Sequence, residues 1–415
     1  MNEKVSQWVL TDTERNIWVE TLELGAAELG VAAPARISKR VLHGGLQEGV
    51  ELVEVDNGAL SFSILPTRGM GLWRGSYRGE FIGWRAPVRG PVHPQFVHAN
   101  ERGGLGWLQG FDECIVRCGL ESNGAPGVDI LPGNTGEPVP MQLGLHGRIA
   151  NLPAHYVAVE VGREAQPVLR VRGVVDEAAL FLPQLRLTSC VSTTLGSNAL
   201  LITDEIENRQ PVPAEMQLLY HCNFGAPFMD AGARLLLPRT TTAPRDATAV
   251  AGLTHWDTYR EPTPGYIEQV YFHRPHSAPD GSTMALLHNA AGTRGVVLRY
   301  NTRQLPCFTQ WKQCGGLGEG YVTGLEPATN YPNQRATERR HGRVVSLQPG
   351  RKTLRLRQWQ ETDHGLRGGR QGRSRRRRNR VERSLHHAKW KSLRDRPRPQ
   401  KSLAHHQARR KEGCG

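Results

Sequence analysis

The sequence predicts an all-β protein: one large antiparallel β-sandwich or barrel followed by a basic C-terminal tail. Three observations carry that reading. Short apolar runs recur at close spacing from Ala35 onward, and 46 Gly and 27 Pro supply the turns between them. Nothing alternates with these runs at the length of a crossover helix, so the pattern fits an antiparallel sandwich or barrel and not βαβ units. Charge is also unevenly divided. From His364 to Gly415 there are 18 Lys and Arg against 3 Asp and Glu, so the net charge of +14 belongs to the tail and the body is almost neutral.

Residues 1–36 form an N-terminal extension that is expected to be partly helical. Trp8, Val9, Leu10 and the run Leu22-Glu-Leu-Gly-Ala-Ala-Glu-Leu29 would pack on the outside of the larger body. Residues 37–360 are assigned to the sandwich. Its clearest hairpin is Val53 and Val55 alternating with Glu54 and Asp56, then Asn57-Gly58, then Leu60, Phe62 and Ile64. Asn-Gly is strong hairpin-turn chemistry, because both residues tolerate positive φ. Leu65-Pro-Thr-Arg-Gly-Met70 ends that unit. Residues 86–142 are rich in Gly, Pro, Asn and His, and read as a long connection of the functional or mobile kind.

After it, strands are expected at Val168–Arg172, Leu185–Val191, Leu200–Ile206, Glu215–Cys222, Arg234–Pro238, Ile267–Phe272, Met284–His288, Gly295–Tyr300 and Cys307–Lys312. Tyr321, Val322 and Leu325 make one more, with Pro327 expected to stop its pairing. Thr353–Arg357 is the last. Residues 361–415 have no apolar periodicity and read as disordered. A basic segment invites a nucleic-acid reading. Its aromatic content beyond Trp390 is too poor for base stacking, and nucleic acid is not an expected partner.

The first residues lack a basic segment followed by an apolar one, and no run approaches the length of a membrane span. A cytoplasmic protein with no membrane partner is the expectation. Its seven scattered cysteines are read as free thiols, since Cys114 and Cys118 have no second pair at zinc spacing.

Two stretches carry the chemistry. Gly320-Tyr-Val-Thr-Gly-Leu-Glu-Pro-Ala-Thr-Asn-Tyr-Pro-Asn333 places Glu326 near a strand end. Leu218-Leu-Tyr-His-Cys-Asn-Phe-Gly225 places His221 and Asn223 within an apolar strand. A carboxylate and an imidazole, each on a strand end, are the minimum for general acid–base chemistry.

Leu325-Glu-Pro-Ala-Thr-Asn-Tyr-Pro-Asn333 resembles the motif that bears the catalytic Glu of aldose 1-epimerases (galactose mutarotases). Tyr220-His-Cys-Asn-Phe224 resembles their Asn-His-x-x-Phe motif, and His146-Gly147 their substrate-binding His-Gly. The likeness spans roughly residues 37–350. It is greatest to a less characterised branch, the aldose 1-epimerase-like proteins, where phrases similar to Leu65–Met70, Trp107–Asp112 and Leu145–Asn151 recur. The resemblance implies the galactose mutarotase-like supersandwich and a monosaccharide substrate. It implies Glu326 as base and His221 as acid, with neither metal nor organic cofactor. His146 and Arg68 would bind the sugar, and Arg148, Asp112 and Asn223 would form a hydroxyl-binding rim. Trp107 would stack on the ring and Trp311 would floor the site. The chain departs from the motif at Tyr220, where an Asn is usual, and at Ala328, where many members have Gln; both bear on which sugar is taken. Arg68, Arg85 and Arg148 together suggest an acidic or otherwise modified sugar, because Arg binds carboxylate, phosphate or sulfonate in bidentate fashion.

Other classes stay open at this level. A carbohydrate-binding module of the same fold would keep the Trp residues and dispense with the Glu326–His221 pair. A polysaccharide lyase would need a helical domain that this chain has no room for. Cupin-like metal binding would need closer spacing than His43, His146 and His221 provide.

Overall fold

The computed structural model describes residues 6–162 and 164–362; the tail assigned to 361–415 lies, from residue 363 on, outside the described residues. Two large antiparallel sheets make up this unit. One has ten strands in the order Arg234–Leu236, Ser282–His288, Arg294–Asn301, Gly350–Thr362, Ala199–Asn208, Gln184–Thr194, Val168–Ala178, Tyr156–Gly162, Ser6–Asp12 and Ile17–Trp18. The other has thirteen, and its centre is the run Cys307–Gln313, Val322–Ala328, Ala214–Gly225, Ile115–Leu120 and Gly71–Tyr77.

Burial alternates with period two in the ten-stranded sheet. In Val168–Ala178, Gln184–Thr194 and Ala199–Asn208, every second residue is buried. These strands put one face on the core and the other in water. The three central strands of the other sheet are different. Ile115–Leu120 and Val322–Ala328 are buried at every position, and Ala214–Gly225 at all but one. One face of these strands meets the inter-sheet core through Leu218, Tyr220, Cys222, Phe224 and Leu325. The other carries a second apolar cluster of Val116, Cys118, Leu219, Val322 and Ala328, roofed by Trp84, Trp107 and Phe111. A sheet covered on both faces at its centre encloses whatever polar groups lie on the second face.

The two sheets are also tied by a buried ion pair. Arg117 Nε and an Nη of its guanidinium donate to Asp204 at 2.6 and 3.0 Å, and Tyr220 Oη donates to the same carboxylate at 2.8 Å.

Several expectations need correction. The N-terminal extension does hold a short helix, but most of its regular structure is strand built into the two sheets. Ser6–Asp12 pairs with Tyr156–Gly162, Leu22–Leu24 pairs with Arg36–Val41, and the one helix among the described residues there is Ala26–Leu29. Leu10 and Leu29 are core residues. Pairing with Arg36–Val41 makes Leu22–Leu24 a strand, and the helix is confined to the second half of the run. The 86–142 connection contains three strands, Ile115–Leu120, Gly127–Pro132 and Pro138–Leu143. The first was concealed by Arg117, whose charge is matched only by the far sheet. The others form a separate two-stranded hairpin, where Pro is tolerated. Pro327 does not end its strand, which continues to Ala328 with Phe308 opposite Pro327. The Val53–Ile64 hairpin stands as read.

Candidate active site

The site lies on the second face of the thirteen-stranded sheet, and strand register assembles it. Leu219 pairs with Ala328, Cys222 with Leu325 and Asn223 with Gly324. The same register sets His221 directly across from Glu326. On the other side, Thr309 stands opposite Glu326 and Trp311 opposite Gly324. Because strand side chains alternate, His221, Asn223, Gly324 and Glu326 share one face.

His221 Nε2 and Glu326 Oε1 are 3.3 Å apart, and both side chains are almost wholly buried. Such slightly long contacts are common in a catalytic site without substrate. His221 Nδ1 is 2.7 Å from Asn223 Oδ1. Asn223 Nδ2 donates to the carbonyls of Glu113 and His221, so its Oδ1 is the acceptor and His221 carries a proton on Nδ1. Nε2 is therefore the nitrogen that exchanges a proton with Glu326.

Burial pushes the Glu326 carboxyl well above the ordinary carboxylate range; nearby Glu268 adds to this and Arg245 opposes it. Burial also lowers His221 to about 3, with His146 contributing and the Asn223 hydrogen bond acting the other way. Both directions put the pair's proton on the Glu326 carboxyl, facing the bare His221 Nε2. Shifting it from carboxyl to imidazole gives a carboxylate base and an imidazolium acid without exchange with solvent.

Gly324 is what lets the two groups meet. A Cβ there would lie 2.6 Å from His221 Cε1, 2.9 Å from Glu326 Oε1 and 3.1 Å from His221 Nδ1. A glycine inside a strand often marks such a close approach.

Aromatic rings surround His221. Phe111 packs edge-on with centroids 5.0 Å apart, Trp311 at 5.6 Å and His146 at 5.4 Å, and Trp107 is edge-on to His146 at 4.7 Å. His146 and Gly147 both have positive φ, 59° and 72°. The turn docks on the end of the Ile115–Leu120 strand: Gly119 N–H donates to the His146 carbonyl and Arg148 N–H to the Gly119 carbonyl. Any side chain at Gly147 would run into the Ser122 and Gly119 carbonyls. The His-Gly pair therefore has a steric basis, and a histidine in this backbone region holds local strain of about 1–3 kcal/mol. His146 Nδ1 donates to the Asn123 carbonyl at 2.9 Å. Burial lowers its pKa to about 4, so His146 is neutral with Nε2 as its acceptor.

The structure thus brings together Glu326, His221, His146, Trp107, Trp311 and Asn223. Asn223 orients the imidazole from below instead of lining a rim, and Trp311 is a wall whose Nε1 donates to Glu268 at 2.6 Å. Three expected residues stand elsewhere. Arg68 is fully buried; it donates to Glu113 Oε1 at 2.6 Å and to Val92 O, Asn151 Oδ1 and Gly110 O at 2.9–3.0 Å. Its guanidinium is engaged by the protein and supports the Glu113 segment on which Asn223 rests. Asp112 is buried beside Trp73, whose Nε1 donates to it at 2.8 Å; burial, reinforced by Glu113, pushes its carboxyl up to about 7. Arg148 is exposed, and its field acts on Glu121 and Glu177. The cation cluster expected from Arg68, Arg85 and Arg148 is not formed, because Arg68 is locked into its buried ion pair. Tyr220, the departure from the usual Asn, points into the inter-sheet core and away from the site. Phe111, Gly324, Glu268 and Asn123 were not singled out in the sequence. Only Gly324 had a visible signal, as a glycine interrupting an apolar strand.

Among the described residues, no group of three or more His, Cys, Asp or Glu is arranged to hold a metal ion. The six cysteines described are free, and among the described residues no helix is long and apolar enough to cross a membrane.

Residues 47–357 match the model of a domain family described as a domain of unknown function, DUF4432. Among solved structures, the chain is similar to a Klebsiella pneumoniae protein that carries a provisional aldose 1-epimerase name. The identity is 34%, the TM-score 0.82, and the match covers 88% of this chain and 94% of that one. A galactose mutarotase-like protein of Clostridium acetobutylicum has 14% identity and a TM-score of 0.55, over 79% of this chain and 98% of that one. A galactose 1-epimerase of Lactobacillus acidophilus has 13% identity and a TM-score of 0.50, over 83% and 99%. The last two likenesses concern the fold alone. No protein of curated function matches the chain.

Proposed function

The chain belongs to the DUF4432 family of aldose 1-epimerase-like proteins, and from that premise we propose that it is a carbohydrate isomerase that interconverts the anomers of a monosaccharide. The observation that carries this reading is the cross-strand pair of His221 and Glu326, 3.3 Å apart and both almost wholly buried.

Anomer exchange requires the hemiacetal ring to open and close. Glu326, as carboxylate, takes the proton from O1. His221 Nε2–H gives its proton to O5 as the C1–O5 bond breaks and the C1–O1 bond becomes a carbonyl. Rotation about C1–C2 turns the other face of the aldehyde to O5, and the same two proton transfers run backward. One proton enters and one leaves the sugar in each half-reaction, so the pair returns to its starting state. At 3.3 Å the pair has no room for a sugar ring between its members. The sugar approaches with its O1–C1–O5 edge across both groups, one oxygen to each.

Neutral His146 offers Nε2 as an acceptor for a sugar hydroxyl. Trp311, which is only partly buried, supplies apolar surface for the C–H face of the ring, while Trp107 is fully buried and backs His146. Asn223 keeps the proton on His221 Nδ1, and so keeps Nε2 as the transferring atom.

The test is exchange spectroscopy or polarimetry across a panel of neutral aldoses, uronates and sugar phosphates, with the parent and Glu326→Gln. Faster exchange of at least one sugar by the parent, lost in the variant, is the expected result. Binding of a sugar without faster exchange would instead assign a carbohydrate-binding protein of the same fold.

A further inference from the structure

The motif that carries Glu326 and the turn that carries His146 are clamped together by one pair of side-chain amides. Asn123 Nδ2 donates to Asn330 Oδ1 at 3.1 Å, and Asn330 Nδ2 donates back to Asn123 Oδ1 at 2.9 Å. Both residues are fully buried. Asn330 is itself fixed: its Nδ2 also donates to the Tyr331 carbonyl at 2.8 Å, and Thr329 Oγ1 donates to its Oδ1 at 2.9 Å. Asn123 is held at its backbone as well, with its N–H directed to Gln217 Oε1 at 3.3 Å. The Asn123 carbonyl is the group that accepts from His146 Nδ1.

From this chain of contacts we infer that Asn330 is a positioning residue for His146. It holds Asn123 so that the carbonyl fixes the His146 tautomer, with the proton on Nδ1 and Nε2 free to accept. The inference rests on the proposed function for its kinetic consequence, because His146 matters to the rate only if a sugar hydroxyl is its partner. The tautomer itself does not depend on that reading. A local alternative for the ring is poor. A neutral imidazole released from the Asn123 carbonyl would lose its defined proton position, since hydrogen bonding at one ring nitrogen decides which nitrogen carries the proton. An amide suits the clamp better than a carboxylate, because it both donates and accepts. Asp at position 330 would keep the acceptor for Asn123 Nδ2 and lose both donors.

Ring-nitrogen NMR on histidine-labelled protein reads the tautomer, and steady-state exchange kinetics read its effect. In the parent, His146 should show protonated Nδ1 and bare Nε2. Asn330→Ala should give a mixture of tautomers and raise KM roughly tenfold, about the worth of one hydrogen bond, with little change in kcat. Combined with His146→Gln, Asn330→Ala should add nothing further, because both remove the same acceptor. If the alanine variant does not fold, Asn330→Asp serves for every arm. A parent His146 protonated on Nε2 overturns the inference, as does a KM effect of the Asn330 variant that multiplies fully with that of His146→Gln. An unchanged rate in Glu326→Gln would remove the proposed function and leave the tautomer result standing.

Discussion

Tyr220 and His221 are adjacent in the chain and work on opposite faces of one sheet. Tyr220 Oη donates at 2.8 Å to Asp204, inside the core between the sheets; His221 faces Glu326 on the far side. The position at which this chain departs from the usual Asn is therefore a matter of stability. Tyr220→Phe should cost about 1–3 kcal/mol, the range for a hydrogen bond to a buried charged group. Anomer exchange by the folded variant should stay within about twofold of the parent, since a core residue that touches no reacting group leaves the transition state unchanged. Denaturant titration and exchange kinetics on the same sample separate the two. A large kinetic loss at unchanged stability would contradict the assignment of faces.

Glu326 and His221 act on one transition state. Glu326→Gln and His221→Asn should each lower the exchange rate by roughly two to four powers of ten. The double variant should be little worse than the poorer single one. Sugar binding, followed by calorimetry or ligand NMR, should change far less than the rate. Losses that multiply in full would mean the two residues serve different steps.

Gly324 offers a steric test of the pair. Alanine places a methyl group 2.6 Å from His221 Cε1, and the ring has to move. Displacing a catalytic group by about 1 Å can cost on the order of 100-fold. Gly324→Ala should therefore reduce kcat by roughly that factor while the protein still unfolds cooperatively. A variant with parent activity would show that His221 tolerates displacement, and that the observed ring position is not the working one.

The pH profile distinguishes a coupled buried pair from two independent groups. Burial takes His221 down to about 3 and Glu326 well above the carboxylate range. A second proton is thus added only as the pH approaches about 3, where Glu326 can no longer ionise, and the pair's proton is lost only far above the usual carboxylate value. The profile of kcat/KM should fall as the pH drops toward about 3 and stay level through the ordinary carboxylate range near 4.3. An exposed Glu near 4.3 and His near 6.5 would instead lose the active form as pH rises above about 6.5. A steady decline through that value would argue for independent titration.

The fold class was legible in the alternation of Val53–Ile64 and of the strands after Val168, because half-buried antiparallel strands display their faces in the sequence. Glu326, His221 and His146 were legible through motifs whose physical basis is now visible: the steric need for Gly147 and the cross-strand seat of the pair. What was hidden depends on partners far away in sequence. Ile115–Leu120 did not read as a buried strand because Asp204, which matches Arg117, lies on the other sheet. Ser6–Asp12 did not read as sheet because its partner is Tyr156–Gly162. Arg68 looked like a ligand-binding cation because nothing in its own segment points to Glu113. The same blindness hid the Asn123–Asn330 clamp, in which neither residue has a local reason to be Asn.

The strand Gly350–Thr362 lies inside the ten-stranded sheet, between Ala199–Asn208 and Arg294–Asn301. This gives the protein a late dependence during its synthesis. Until residue 362 has left the ribosome, that sheet exists as a three-strand piece and a six-strand piece, each with an unpaired edge open to other chains. The nascent polypeptide therefore has to carry those edges until this strand is made, and the ten-stranded sheet closes only after it.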